Sequence, residues 1–194
     1  MYVLSELFFY KLIFVLEILV AMHLFSFKQV HKNHFVLRLI LSSLVCLVLA
    51  AGFPIPPDLT NSIYTSMMFL VLFLYCLVSL FFVYEISFRI VFFIGITAYT
   101  MQHFAHEVYS LIVNSFNMVI SPTLGLYGNN VIDFSKLSLE SLFYGFIYLD
   151  IYLAIYWVVY AILGKRINKR ELIIENYSMV IIAGIVLLVD IVLN

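Results

Sequence analysis

Six long apolar runs separated by short polar breaks organise this 194-residue chain. They cover 7–25, 36–53, 63–84, 88–113, 141–163 and 177–193. Each approaches the ~20 mainly apolar residues, within a range of about 17–25, that a helix needs to cross the hydrocarbon core. Apolar residues are continuous within the runs and do not alternate with period two, so helices are expected and not a barrel. The expected fold class is all-α: a polytopic membrane helical bundle of about six transmembrane helices, forming one membrane domain over 1–194. Pro54, Pro56 and Pro57 predict a stiff turn after the second run, because proline cannot continue a helix interior. The 114–140 connection is the one loop long enough to form part of a binding surface.

Composition strengthens this reading. Hydrophobic residues make up 65% of the chain and charged residues 11%, against about 25% charged in soluble domains. A water-soluble fold of this length leaves too much surface exposed to hide so many apolar side chains. The lipid bilayer is therefore the first partner. With a net charge of −1 and no basic patch mixed with aromatics, nucleic acid is excluded. Cys46 and Cys76 lie in apolar runs without metal-ligand or redox spacing, so they are expected to be small buried residues. The opening MYVLSELFFYK lacks the basic region and small-residue cleavage site of a signal peptide, so the first span is expected to remain.

Charge sets the expected orientation. Lys28, Lys32, Arg38, Arg89, Lys165, Arg166, Lys169 and Arg170 fall in connections on one side, which makes eight of the ten basic residues. The positive-inside rule places that side in the cytoplasm and the amino terminus outside. Six spans then leave the chain's end outside as well.

One stretch resists placement in lipid. In AYTMQHFAHEVYSLI, residues 98–112, Tyr99, Gln102, His103, His106, Glu107 and Ser110 fall within an arc of roughly 140° on a helix of 100° per residue. A charge at mid-span costs about 2.5–3.5 kcal/mol on insertion scales, so this face is expected to look inward. Lys11 and Glu17 on the first span and Asp150 on the fifth are the candidate partners in one polar cluster. Three readings of the stripe stay open: hydrogen-bonding between helices, a ligand pocket or conformational switch, and metal ligation. His103 and Glu107 have the i,i+4 spacing of helical ligands, but HFAHE lacks the order of the zinc-peptidase motif. No metal or other cofactor is assigned.

The string AYTMQHFAHEV also resembles the AY-x-x-QH-x-A segment of the amino-terminal membrane region of GHKL-type sensor histidine kinases, similar to the accessory gene regulator C receptors of Firmicutes. Ala98, Tyr99, Gln102, His103 and Ala105 carry the match, and KQVHKNHFVLRLILS (28–42) resembles the basic inner loop of that family. The resemblance implies a sensor module in a bacterial cytoplasmic membrane, used in two-component signalling and quorum sensing. It further implies an extracellular ligand, commonly a small peptide, and a homodimer. No soluble segment here is long enough for the phospho-accepting helices or the ATP-binding domain, so this chain is not expected to be an enzyme. A seventh span beyond Asn194 would return the chain to the cytoplasm, where a kinase must lie. On this reading Tyr99, Gln102, His103, His106, Glu107, Glu17 and Asp150 form the ligand-binding or switch element.

Rival classes are weighed by residue texture and spacing. A substrate-binding subunit of a vitamin importer would have about this length, yet the chain is bulky, with 18% aromatics and only 7 glycines. A membrane peptidase needs a Cys within hydrogen-bond reach of a His. Across the hairpin of spans three and four, Cys76 and His103 differ in depth by roughly 9 Å at 1.5 Å per residue. A bundle that assembles without any ligand is the third alternative.

Overall fold

The computed structural model describes residues 6–55, 62–119 and 139–161. It is all-helical: α1 (Glu6–Ser26), α2 (Phe35–Gly52), α3 (Ser62–Val83), α4 (Phe88–Val119) and α5 (Leu139–Val159). No β-strand occurs among the described residues. The first five predicted spans each coincide with one helix, while the sixth run and the basic 164–171 segment lie outside the described residues. So do Pro56, Pro57 and most of the connection after α4.

Three helices are long and apolar enough to cross a membrane, over Leu7–Ser26, Phe35–Gly52 and Ile63–Val83. α5 has a shorter apolar stretch, Phe143–Val159. α4 is the longest element at 32 residues, or about 48 Å, well beyond the ~30 Å hydrocarbon core. It runs six residues past the predicted end at 113, because nothing between Asn114 and Val119 is a proline or glycine.

α1 is the central element, packed against α2, α3 and α4. Val15, Ile18, Ala21, Met22 and Phe25 are all buried on its inner side, while Leu16 and Val20 on the opposite side are exposed. α2 is peripheral: Ser42, Cys46 and Ala50 face inward, while Val36, Leu37, Ile40, Leu44 and Val48 are exposed. That aliphatic outer face suits contact with acyl chains. Between α3 and α4, Gly95 allows close approach, since a Cβ there would lie 2.1 Å from Leu77 Cδ2. Cys46 and Cys76 are buried at the α2–α3 interface as free thiols.

Two helix ends are closed by cations from neighbouring elements. The last carbonyls of a helix have no partner within it. At the end of α3, Lys32 Nζ donates to the Phe81 oxygen at 2.5 Å and Arg38 to the Phe82 oxygen at 3.1 Å. The Lys32 amide reaches the Val83 oxygen, and Glu85 N–H reaches the Val30 oxygen, so His31 and Tyr84 pair as an isolated antiparallel bridge. His34 completes this loop in the left-handed region, with φ 59°. At the end of α2, fully buried Lys11 donates to the Phe53 oxygen at 2.6 Å and the Ala51 oxygen at 3.3 Å. The α1–α2 loop and the α3–α4 turn thus sit together at one end, bringing Lys28, Lys32, Arg38 and Arg89 to the same end of the bundle.

Candidate functional site

Glu17 lies near the middle of α1, 8% exposed. Gln102 of α4, also buried, donates its amide to Glu17 Oε2 at 3.1 Å. The Tyr148 hydroxyl of α5 donates to Glu17 Oε1, and Tyr156 donates to the Glu17 backbone oxygen at 3.3 Å. Three helices therefore meet on one carboxyl group. α5 packs mainly on α4 and reaches α1 through the length of its tyrosines. No lysine or arginine joins Glu17 in these contacts. A buried charge needs such donors, since removing carboxylates from water costs several kcal/mol or more.

The tyrosines come from a ladder that the sequence analysis passed over. Tyr144, Tyr148, Tyr152, Tyr156 and Tyr160 recur every four residues, which drifts only about 40° per step on a helix. Their rings pack in series, Tyr148 to Tyr152 at 4.3 Å and Tyr152 to Tyr156 at 5.9 Å. Tyr109 of α4 meets Tyr148 edge-on at 5.1 Å. A strict i+4 recurrence of an amphipathic aromatic was the signal available: it marks a face that needs both burial and hydrogen-bond partners.

The polar stripe of α4 is split by the packing. Apart from Ile96, the buried side chains Val91, Ile94, Ala98, Met101, Gln102, Ala105, Tyr109 and Val113 define a face centred roughly 100° away from the stripe's own centre. Only Gln102 belongs to both. Tyr99, His103, His106 and Ser110 are half-buried on the flank, and Glu107 is exposed. The expected single cluster is therefore corrected at three residues. Lys11 turns to the end of α2, about 120° around α1 from Glu17. Asp150 is exposed on the outer face of α5, because the tyrosine ladder claims the inner one. Glu107 lies at the exposed edge of the stripe, so the inward-facing expectation holds for Gln102 and only in part for the histidines.

Aromatic rings fill the space beside the carboxyl. Phe14 packs edge-on to Phe69 at 4.9 Å and to Tyr99 at 6.1 Å, and Phe73 meets Tyr99 at 5.5 Å. Tyr10 meets the His106 ring at 6.0 Å. His106 Nδ1 and the Tyr109 hydroxyl are buried beside these rings without a protein hydrogen-bond partner. Among the described residues no group of three His, Cys, Asp or Glu side chains could hold a metal ion.

A second cluster lies at the loop end. Tyr84 is buried, and its ring lies near His23, His31 and Phe35 at 5.8, 5.5 and 5.7 Å. The Tyr84 hydroxyl and His23 Nδ1 are hydrogen-bonded at 3.3 Å, with the direction set by the imidazole tautomer. Between α1 and α2 an open groove of about 440 Å³ is lined mostly by leucines, with Val20, Phe27, His23 and Ser43.

No family model matches the chain, and no curated protein or solved structure shows significant similarity to it.

Proposed function

We propose that this chain is the membrane-embedded sensor module of a two-component signalling receptor, with six spans, an external amino terminus and a cytoplasmic basic face. The observation that carries the reading is the convergence of α1, α4 and α5 on Glu17. A receptor needs an element whose arrangement an external signal can bias, and a ligand biases it only through different affinity for two states. A carboxyl tied to three helices by hydrogen bonds is such an element, because moving any one of them changes its partners. Gln102, one of the residues that carry the resemblance to GHKL-type sensor kinases, supplies the α4 tie. The half-buried flank of Tyr99, His103 and His106, with exposed Glu107, provides the adjoining surface for an extracellular peptide or small ligand. Interlocked rings of Phe14, Phe69, Phe73 and Tyr99 beside the carboxyl favour a relay over a small-molecule carrier, which would need that volume for its cargo.

The test joins this chain, through an added seventh span, to a histidine-kinase catalytic module and measures autophosphorylation in vesicles. Gln102→Leu and His103→Ala are expected to shift basal output by about fivefold or more, the low end of typical coupling energies. Output at the wild-type level, with normal membrane insertion, would leave the polar residues as packing and reject the reading.

A further inference from the structure

The groove between α1 and α2 has a defined length and a charged end. Its α1 wall runs from Leu16 through Val20 and Leu24 to Phe27, and Leu39 and Leu47 of α2 line the other side. Leu16 stands at the middle of the apolar Leu7–Ser26 stretch, and Phe27 lies just past its end. Those eleven steps cover about 16 Å at 1.5 Å per residue. That is about half of the ~30 Å hydrocarbon core, or the depth of one leaflet. Beyond Leu16 the two helices are joined by Lys11, which donates to the Ala51 and Phe53 oxygens. Leu16, Val20 and Phe27 are exposed along the edge, so the groove opens sideways from the bundle. His23 and Ser43 are the polar residues in its lining.

The loop end of this groove is cationic. From Phe27 the chain passes directly into exposed Lys28, and Arg38 immediately precedes Leu39. Lys32 and Arg38 donate to the Phe81 and Phe82 oxygens, and a carbonyl leaves the charge of its donor unneutralised. Glu85 is the one carboxylate among the described residues of this end, against Lys28, Lys32, Arg38 and Arg89. Basic side chains next to a membrane span attract anionic headgroups.

We propose that the α1–α2 groove is a binding site for one anionic phospholipid. An acyl chain lies along Leu16, Val20, Leu24 and Phe27, and the headgroup phosphate sits at the basic end beside Lys28. An apolar lining one leaflet deep suits an acyl chain and offers few partners to a peptide backbone. A second copy of this chain, inserted with the same orientation and using the same face, would set its own Lys28, Lys32 and Arg38 against these. A phosphate instead meets the cations with opposite charge. Binding links the α1–α2 pair to the anionic lipid content of the membrane, because a ligand held only by the folded bundle stabilises it. The inference stands without the receptor assignment.

Native mass spectrometry tests the site on the full chain, in micelles holding equal amounts of phosphatidylglycerol and phosphatidylcholine with identical acyl chains. The first lipid adduct should favour phosphatidylglycerol by about tenfold or more, since more than one cation contributes. Lys28→Gln should lower that preference about fivefold, equivalent to ~1 kcal/mol for one surface cation. Val20→Trp fills the groove from its edge and should remove the first adduct. Leu44→Trp, on the outer face of α2, should leave it in place. Both substituted positions are exposed, so neither change enters the packed core. Equal adducts of the two lipids, or a preference untouched by Lys28→Gln, overturn the headgroup site. An adduct that persists in Val20→Trp, or a lipid-free dimer that this variant splits, overturns the groove as a lipid site.

Discussion

At the scale of single residues, position on a helix decided less than the direction in which the buried face pointed. Glu17 and Lys11 share α1 but serve different neighbours, one gathering α4 and α5 and the other closing α2. The value of the Glu17 contacts lies in the donors that would be stranded without it. Glu17→Leu leaves the Gln102 amide and the Tyr148 hydroxyl unpaired and is expected to cost about 1–3 kcal/mol for each buried group. Glu17→Gln retains an acceptor oxygen and should lose less. Reversible unfolding in mixed micelles checks the order, and equal losses for the two variants would contradict the account. Glu17 and Gln102 were legible as candidates because polar residues in apolar runs are conspicuous. Asp150 was equally conspicuous and stands on the opposite face of its helix from Tyr148, which no count of charges reveals.

At the scale of elements, apolar length set where the helices lie and side-chain donors set how they end. α1, α2 and α3 follow their apolar runs to within a residue or two, because burial and backbone hydrogen bonding both favour helix there. α4 does not, since its backbone hydrogen bonds continue past 113 through Asn114–Val119, which holds no proline or glycine. The end of α3 depends on Lys32 and Arg38, which join it to the α1–α2 loop. Lys32→Met keeps the side-chain volume but removes the donor to the Phe81 oxygen. It should speed amide hydrogen exchange in the 28–34 loop and in the last turn of α3, with little change in α5. Unchanged exchange in that loop would show that the His31–Tyr84 pairing holds it without the lysine. The tyrosine ladder of α5 belongs to this scale as well: its four-residue period was present in the sequence, and its meaning depended on which helix it met.

At the scale of the whole molecule, the bundle separates a loop end, where Lys28, Lys32, Arg38 and Arg89 gather, from the end at which α1 begins. A membrane-impermeant maleimide reports which end faces which side. In a chain carrying Cys46→Ser and Cys76→Ser, Lys28→Cys should be labelled from the cytoplasmic side and Pro54→Cys from the outside. Labelling in the reverse sense would invert the proposed topology, and with it the side from which a signal arrives.

The sequence by itself determined that the chain is helical and apolar enough for a membrane, and where five of its helices begin. Those properties follow from local runs, in which each residue contributes its own transfer free energy and helix preference. It also identified Gln102 as part of a polar face. Only the tertiary structure decided that the buried face of α4 is rotated from its polar stripe, that Gln102 alone lies on both, and that tyrosines rather than Lys11 or Asp150 meet Glu17. The reason is that burial on a helix is assigned by its neighbours: three helices competing for the same α4 surface leave inward whichever side chains let them approach, and turn the remainder to the flank.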